Sequence, residues 1–432
     1  MVGPGAAVPT VARFGALRHP DYLRYFLVAL VGMTAESVEH VVSYWMIYQL
    51  FHSPTLAGFA IVSHWVPYLM FSVYAGVLAD RYDCRRLIQA GQALLALVSL
   101  GWAALFMTGT LHVWHACALL VLHGLAGVFI GPALQLIVHD IVGREHLQSA
   151  IRLNAISRYF CMVLGPAIGG GLMLLLGPSP TLLVNVVLYL PIIVFLFYLR
   201  YTGHLSDADG RRPAAGFSLG QTRQLLAELR GEPRIIMMIV LAGASSLFVG
   251  TAFQAQMPEF AHHHGSNEAD VWYTVLFSAN AVGAVVGALL LETFTALQGG
   301  ARMAIVCAAV WGAVMAAFPV VHSYAAAVTL LALGGVFNIA FTSMAQALVQ
   351  ILAPSRLRGR VVGLFNTSMM GLRAGSGVTV GVLGALVGVE ASLTISALGV
   401  VLVALGLLIV ALRSPSVAPP PVVAPAERSS PS

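Results

Sequence analysis

Apolar runs of roughly twenty residues alternate with short polar breaks along almost the whole chain. Each run is long enough to cross a hydrocarbon core of about 30 Å as a helix. Backbone in lipid must satisfy its own hydrogen bonds, so these runs predict helices rather than open strands. The strict apolar/polar alternation of a membrane β-barrel does not occur. The pattern predicts twelve transmembrane helices, over 22–50, 56–79, 87–107, 113–138, 150–176, 180–200, 235–258, 270–292, 302–321, 324–350, 361–387 and 392–412. A polar stretch from Tyr201 to Arg234 divides them into two groups of six. The expected organisation is an N-terminal segment 1–21, a six-helix bundle 22–200, a linker 201–234, a second bundle 235–412 and a disordered tail 413–432 rich in Pro, Ala and Ser.

Composition agrees with an all-α membrane protein. The 432 residues are 59% hydrophobic and only 9% charged, against about 25% charged in soluble domains. Residues 1–20 lack the ordered features of a removable signal peptide. The four cysteines (Cys84, Cys117, Cys161, Cys307) form no CxxC or Cys/His spacing, so neither a disulfide framework nor a metal site is indicated locally. Cys84 is expected to face the cytoplasm. All 22 basic residues are arginine, a usage that resembles high-GC bacteria.

Arginine placement orients the chain. Arg13, Arg18 and Arg24, then Arg81, Arg85 and Arg86, Arg144, Arg211, Arg212, Arg223 and Arg230, Arg302, Arg356, Arg358 and Arg360, and Arg413 all fall in alternate connections, and the intervening connections carry none. By the positive-inside rule both termini are cytoplasmic, in the inner membrane of a bacterium. The net charge of +5 therefore reflects loop asymmetry and implies no nucleic-acid partner. Within the linker, Leu219, Leu225, Leu226 and Leu229 share one helical side opposite Gln221, Gln224 and Glu228, which predicts an amphipathic helix on the membrane surface over Phe217–Arg230.

An offset of 212 residues relates Asp80 to Glu292, Arg144 to Arg356, Asn154 to Asn366, Gly165 to Gly377 and Gly169 to Gly381. Duplicated six-helix halves are a feature of transporters that rock one half against the other.

The connection after helix 2 reads Gly76-Val-Leu78-Ala-Asp80-Arg81-Tyr-Asp83-Cys84-Arg85-Arg86. It resembles the GxLaDRxGRR signature of the major facilitator superfamily, with Asp83 replacing a glycine and Cys84 a basic residue. Helix 5 carries Gly165-Pro166-Ala-Ile-Gly169-Gly170, which resembles the antiporter motif of that superfamily's exporter branches. Cys161 stands at the motif's first glycine. With Ser53-Pro54, Asn154 and the Arg356-Leu-Arg358-Gly-Arg360 connection, residues 20–412 are similar to the branch that includes the enterobactin exporter and macrolide efflux proteins. The resemblance implies the major facilitator fold of two pseudo-symmetric six-helix bundles. It also implies a cytoplasmic gate at Gly76, Asp80, Arg81, Arg85 and Arg86, and close helix packing at Gly165, Pro166, Gly169 and Gly170.

Helix 1 carries Glu36, Glu39 and His40, which with Gly32 and Ser43 fall within about 100° of one helical face. Ionisable groups at mid-membrane mark a pathway or a coupling site more often than elsewhere. Glu36 is the leading proton-exchange candidate, with Glu39 second, and Arg158 and Arg373 are their expected positive partners. A structural ion pair is the plainer alternative. His64 and His123 read first as hydrogen-bonded interior groups, with proton relay as the alternative, and His123 joins Glu36, Glu39, His40 and Arg158 as a candidate for proton coupling or substrate. Tyr44, Trp45, Phe248, Gln254, Gln256 and Asn338 are candidates to line a cavity for an amphipathic ligand. His262, His263 and His264, near Glu268 and Asp270, read as a solvated external loop rather than a metal site. No Walker A or Rossmann pattern and no nucleophile–base pair is present, so no cofactor and no enzyme chemistry is expected. The reading is a secondary transporter, functional as a monomer, exporting a small molecule by proton antiport. Metabolite uptake and a transporter-like receptor or scaffold stay open.

Overall fold

The computed structural model describes residues 15–204, 223, 225, 227–263, 269–293, 300–354 and 357–413. Arg13, Arg211, Arg212, most of the predicted amphipathic helix, His264, Glu268, Arg356 and the tail 414–432 lie outside the described residues.

Twelve helical segments follow in the predicted order. They are α1 (Pro20–Phe51), α2 (Pro54–Arg81), α3 (Cys84–Met107), α4 (Val113–Gly143), α5 (144–176), α6 (Pro178–Tyr198), α7 (Pro233–Ala255), α8 (Ala269–Thr293), α9 (Ala301–Ala317), α10 (Tyr324–Leu352), α11 (Val361–Val387) and α12 (Val389–Arg413). The described residues contain no strand. Local chemistry sets several starts. Ser53 caps α2 by accepting the Leu56 amide, with Pro54 in the first turn, and Ser323 caps α10 in the same way.

The helices run past the apolar stretches that predict them. The expected loop at 139–149 is helical on both sides of a single break at Gly143, whose φ of 63° suits glycine. Hydropathy marks only the part of a helix that lipid surrounds, and the backbone keeps its hydrogen bonds by continuing beyond it. The opposite happens in α7. Its regular part ends at Phe248, Gly250 takes a φ of 47°, and two short helices, Ala252–Ala255 and Met257–His263, complete the crossing. Helix α11 contains two π-helical turns, Thr367–Gly371 and Gly377–Val382, a geometry concentrated at functional positions. Of the linker, Leu225 and Leu229 are buried in the protein's own core, with Arg223 and Glu228 exposed, so these leucines pack on protein rather than lipid.

The 212-residue offset holds for whole elements. Shifting α2 by that amount gives 266–293, the range of α8, and shifting α6 gives 390–410, inside α12. Packing repeats too. Gly165 and Gly169 of α5 lie against Ser37 and Val38 of α1, and Gly170 lies against Thr274 of α8 in the other half. In the second half the Thr379 hydroxyl of α11 donates to the Phe248 carbonyl of α7 at 2.8 Å, and Gly377 and Gly381 lie against Gly58 of α2 in the first half. Each half therefore sends its fifth helix across to the other.

The contacts that join the halves gather at the face away from the arginine-bearing connections. Gln256 donates to the Pro54 carbonyl at 3.0 Å, the Tyr273 hydroxyl to the Val41 carbonyl at 2.9 Å, and Gly58 meets Gly377 and Gly381 backbone to backbone. Toward the arginine-bearing face, Met70, Tyr74 and Asp80 of α2 are exposed, and α11 begins by packing on α7 and α10. The close helix approach expected at Gly76 is not made here, since a side chain at that position would meet nothing within 4 Å.

A Cβ at Gly58 would collide with backbone atoms of Gly377 and Gly381, which cannot move aside as a side chain can. Overpacking costs about 1–3 kcal/mol, so Gly58→Val should shift the population away from this conformation by about 5- to 150-fold. Spin-label distances between the ends of α2 and α11 at the arginine-free face should lengthen in the variant. An unchanged distance distribution would show that this contact does not hold the two halves together at that face.

Candidate functional site

The connection between α2 and α3 is built around Asp83, the residue that departs from the family signature. Its carboxylate accepts the Arg85 amide as the N-cap of α3 and pairs with the Arg85 guanidinium at 2.7 Å. Arg85 also donates to the Leu199 carbonyl at the end of α6. Partial burial would raise the Asp83 pKa, but the Arg85 hydrogen bonds and the charges of Arg85 and Arg86 outweigh it and hold the group below the usual carboxylate range. Arg86 lies over the Phe197 ring at 5.2 Å and donates to Gln89. Asp80 and Arg81 are exposed. Cys84, expected to face the cytoplasm, is instead buried beneath Gly203, because the segment after α6 folds over the start of α3.

A second constellation lies inside the first half. Glu39 of α1 is 2% exposed and sits among donors from three other helices. The Ser99 hydroxyl of α3 donates to Oε2, the Tyr189 hydroxyl of α6 donates to the same oxygen at 3.3 Å, and His123 Nδ1 of α4 lies 2.7 Å from Oε1. Asn185 of α6 donates to the Ser99 oxygen at 3.0 Å, which orients the hydroxyl toward the carboxylate. A buried carboxylate is tolerable only when paired and hydrogen-bonded, and this one is. On the other side of His123 stand His40 of α1 and His64 of α2. Ring centroids are 4.7 Å apart for His40–His123, 5.2 Å for His40–His64 and 5.4 Å for His64–His123.

The three acidic and imidazole groups of α1 share a side of the helix, as their spacing predicts, but end in different surroundings. Glu36 is half-buried, its backbone carbonyl accepts from the His40 ring, and it lies within electrostatic reach of Tyr44, Tyr68, His123, Cys161 and Tyr189. Arg158 of α5 is exposed and also within reach of Tyr68. Arg373 of α11 stacks over the Trp65 ring of α2 at 4.9 Å. The expected arginine partners are thus not those of Glu39, whose partner is His123. The reason is topological: α4 packs beside α1 and α3 and delivers an imidazole where the arginines of α5 and α11 do not reach.

Of the predicted cavity residues, Tyr44 and Gln256 line one small cavity together. Tyr44 lines two small cavities, one with Tyr48, Pro54, Gln256 and Glu259, the other with Glu39 and the three histidines. Phe248 packs against Gly399 of α12, Gln256 is spent on the Pro54 carbonyl, and Gln254, Asn338 and Trp45 are half-buried. His262 and His263 end the short helix Met257–His263 instead of lying in a loop, and His263 pairs with Glu259 and with Glu390 of α12. Sequence reasoning missed Ser99, Asn185 and Tyr189, which lie in separate helices and carry no local signature. It grouped His123 with Glu36, Glu39 and His40 as a coupling candidate but left His64 as a separate interior group.

Twelve helical segments in two related halves, with close glycine contacts between the halves and ionisable groups inside the first, define a secondary transporter of the major facilitator fold. The family described as transmembrane secretion effector matches residues 11–420, and the chain belongs to it. It is therefore a transporter and not an enzyme. The staphyloferrin A transporter of Staphylococcus aureus is 23% identical over 158 residues, 36% of this chain and 40% of that protein. An uncharacterised transporter of the major facilitator type from Bacillus subtilis, YfiS, is 21% identical over 226 residues, 50% of this chain and 52% of that one. The match thus spans about half or less of these relatives. Among solved structures, a bacterial homologue of the human lysosomal transporter Spinster, inward-facing and unoccupied, superposes with a TM-score of 0.65 at 14% identity, covering 90% of this chain and 95% of the other. A D-xylose–proton symporter gives 0.68 at 13%, covering 89% and 97%.

Replacing Ser99 by Ala removes a donor from a buried carboxylate, at a cost of about 1–3 kcal/mol, and should lower the thermal unfolding temperature of the detergent-purified protein. Asp83→Ala should cost about 0.5–2 kcal/mol through the lost cap. Because the folded-state pKa of Asp83 is depressed, its contribution is present above the ordinary carboxylate range and is lost as pH falls through the lowered value. The gap between Asp83→Ala and the native protein should therefore close only in strong acid. A gap that is constant with pH would remove the charge from the explanation.

Proposed function

We propose that the protein is a secondary active exporter of a small amphipathic molecule (a drug, siderophore or secondary metabolite), working by alternating access as a proton antiporter in a bacterial cytoplasmic membrane. The observation that carries this reading is that the hydrogen bonds and backbone contacts between the halves lie toward the arginine-free face, while Met70, Tyr74 and Asp80 of α2, toward the arginine-bearing face, are exposed. With arginines inside the cell, the conformation is closed outside and open to the cytoplasm, the state that loads an exported substrate. The family description as a secretion effector and the glycine run Gly165–Gly170 support the same direction. Both termini are then cytoplasmic, and one chain carries both halves, so a monomer suffices.

Proton exchange is assigned to Glu36. It is half-buried and lies where groups of four other helices face it: Tyr68 of α2, His123 of α4, Cys161 of α5 and Tyr189 of α6, with Arg158 beside Tyr68. A carboxylate in that position gains a proton in one conformation and loses it in the other, and the substrate biases the same equilibrium from the opposite side. Asp80, exposed here, engages the neighbouring helix ends when the cytoplasmic face closes.

Everted vesicles energised so that their lumen is acidic and protons run outward should accumulate substrate. Glu36→Gln should abolish this accumulation and flatten its pH dependence while leaving substrate exchange across ungraded vesicles intact. Asp80→Asn should slow turnover by at least about tenfold, a barrier change of about 1.4 kcal/mol. Accumulation at the native rate in Glu36→Gln would remove the proton assignment, and accumulation in right-side-out vesicles alone would reverse the direction.

A further inference from the structure

We propose that His40, His64 and His123 bind one divalent transition-metal ion of the zinc type, with Glu39 orienting His123 from behind. The assignment needs neither the direction of transport nor the role of Glu36.

Four observations converge. The ligand-capable atoms of the three residues lie within 4.8 Å of one another, so closure by roughly an ångström brings them onto an ion bound at about 2.0–2.1 Å. The Glu39 carboxylate occupies His123 Nδ1, which leaves the proton there and the lone pair on Nε2, the far side of the ring. Metal-bound histidines almost always carry such a carboxylate or carbonyl on the other nitrogen, which fixes the tautomer and raises ligand basicity. His64 Nδ1 is buried without a hydrogen-bond partner, an arrangement that is costly unless a ligand uses the group. Finally, the three imidazoles border a cavity of water-molecule size closed by Ser43, Tyr44, Ala60, Trp102 and Leu120.

The donor set selects the ion. Imidazole nitrogen suits zinc, cobalt, nickel and copper and is a poor ligand for magnesium or calcium. Glu39 offsets one of the ion's two charges inside the membrane, where an uncompensated charge is expensive. Three protein ligands leave one coordination position for water or for a donor atom of a second ligand. All three ligands come from the first half (α1, α2 and α4), so the ion ties helices within one half and does not bridge the moving interface.

The test uses the full-length protein purified with a histidine-free tag and stripped with a chelator. Zinc titrated against a chromophoric competitor should bind at one equivalent, and cobalt should give the visible bands of a four-coordinate site. His64→Ala should abolish both signals, with the size-exclusion profile showing whether the variant is folded. His64→Cys should restore binding and add a thiolate-to-cobalt charge-transfer band. Glu39→Gln should weaken zinc binding by about 10- to 100-fold. A double His262→Ala/His263→Ala variant should bind as the native chain does. The proposal is overturned if the folded native protein binds no zinc, or if binding survives His64→Ala and disappears with the external pair.

Discussion

The costliest group in this molecule is the carboxylate of Glu39. At 2% exposure inside a membrane helix it is cut off from bulk water, so its charge relies on donors from the protein. Ser99, His123 and Tyr189 supply them from α3, α4 and α6, and Asn185 braces Ser99. Four helices must hold their rotation and depth together for this to work. In lipid, apolar side chains give helices little reason to prefer one register over another. A buried polar network supplies that preference, because a slipped helix would strand a charge. The first half is therefore rigid where its chemistry lies.

The contact between the halves follows a different logic. It rests on glycines at close approach and on a few hydrogen bonds to backbone carbonyls, such as Gln256 to Pro54 and Tyr273 to Val41. Such contacts are specific in geometry yet modest in energy, since each hydrogen bond nets only about 0.5–1.5 kcal/mol. A transporter needs two conformations within a few kcal/mol of each other. A strong interface would trap one of them. The rigid network within a half and the weak seam between halves are thus two requirements of one cycle.

Much of this was legible in the chain itself. Twelve apolar runs, the arginine asymmetry and the 212-residue repeat are local or periodic signals, and they suffice for the fold. The gate motif and the α5 glycines were readable for the same reason. The site was less so. His40, His64 and His123 share no spacing, and only the packing of α1, α2 and α4 brings them together. Arg158 and Arg373 were the wrong partners for Glu39 because charge in the sequence says nothing about which helix is a neighbour. The helix boundaries at 139–149 failed because hydropathy reports lipid contact, not backbone hydrogen bonding. Asp83, a departure from the family signature, turned out to replace a glycine's freedom with a cap and an ion pair.

The repeat carries one more consequence. Moving the site by 212 residues places its counterparts at Phe248, Thr251, Ala252, Leu276 and Gly335 for Glu36, Glu39, His40, His64 and His123. The partners Ser99, Asn185 and Tyr189 map to Trp311, Ala397 and Val401. Trp311 and Ala397 are buried in the apolar core, and Gly335 packs against the backbone of α8. The folds of the two halves match while their chemistries do not. If both halves held buried carboxylates, each would need its own donors, and closing the seam would bring two such networks toward one another. Confining the carboxylate–imidazole network to one half leaves the second half's counterparts of those positions apolar or small. The second half then contributes one cation, Arg373 over Trp65, and the close approach of the α11 glycines, and the first half contributes the buried carboxylate and its donors.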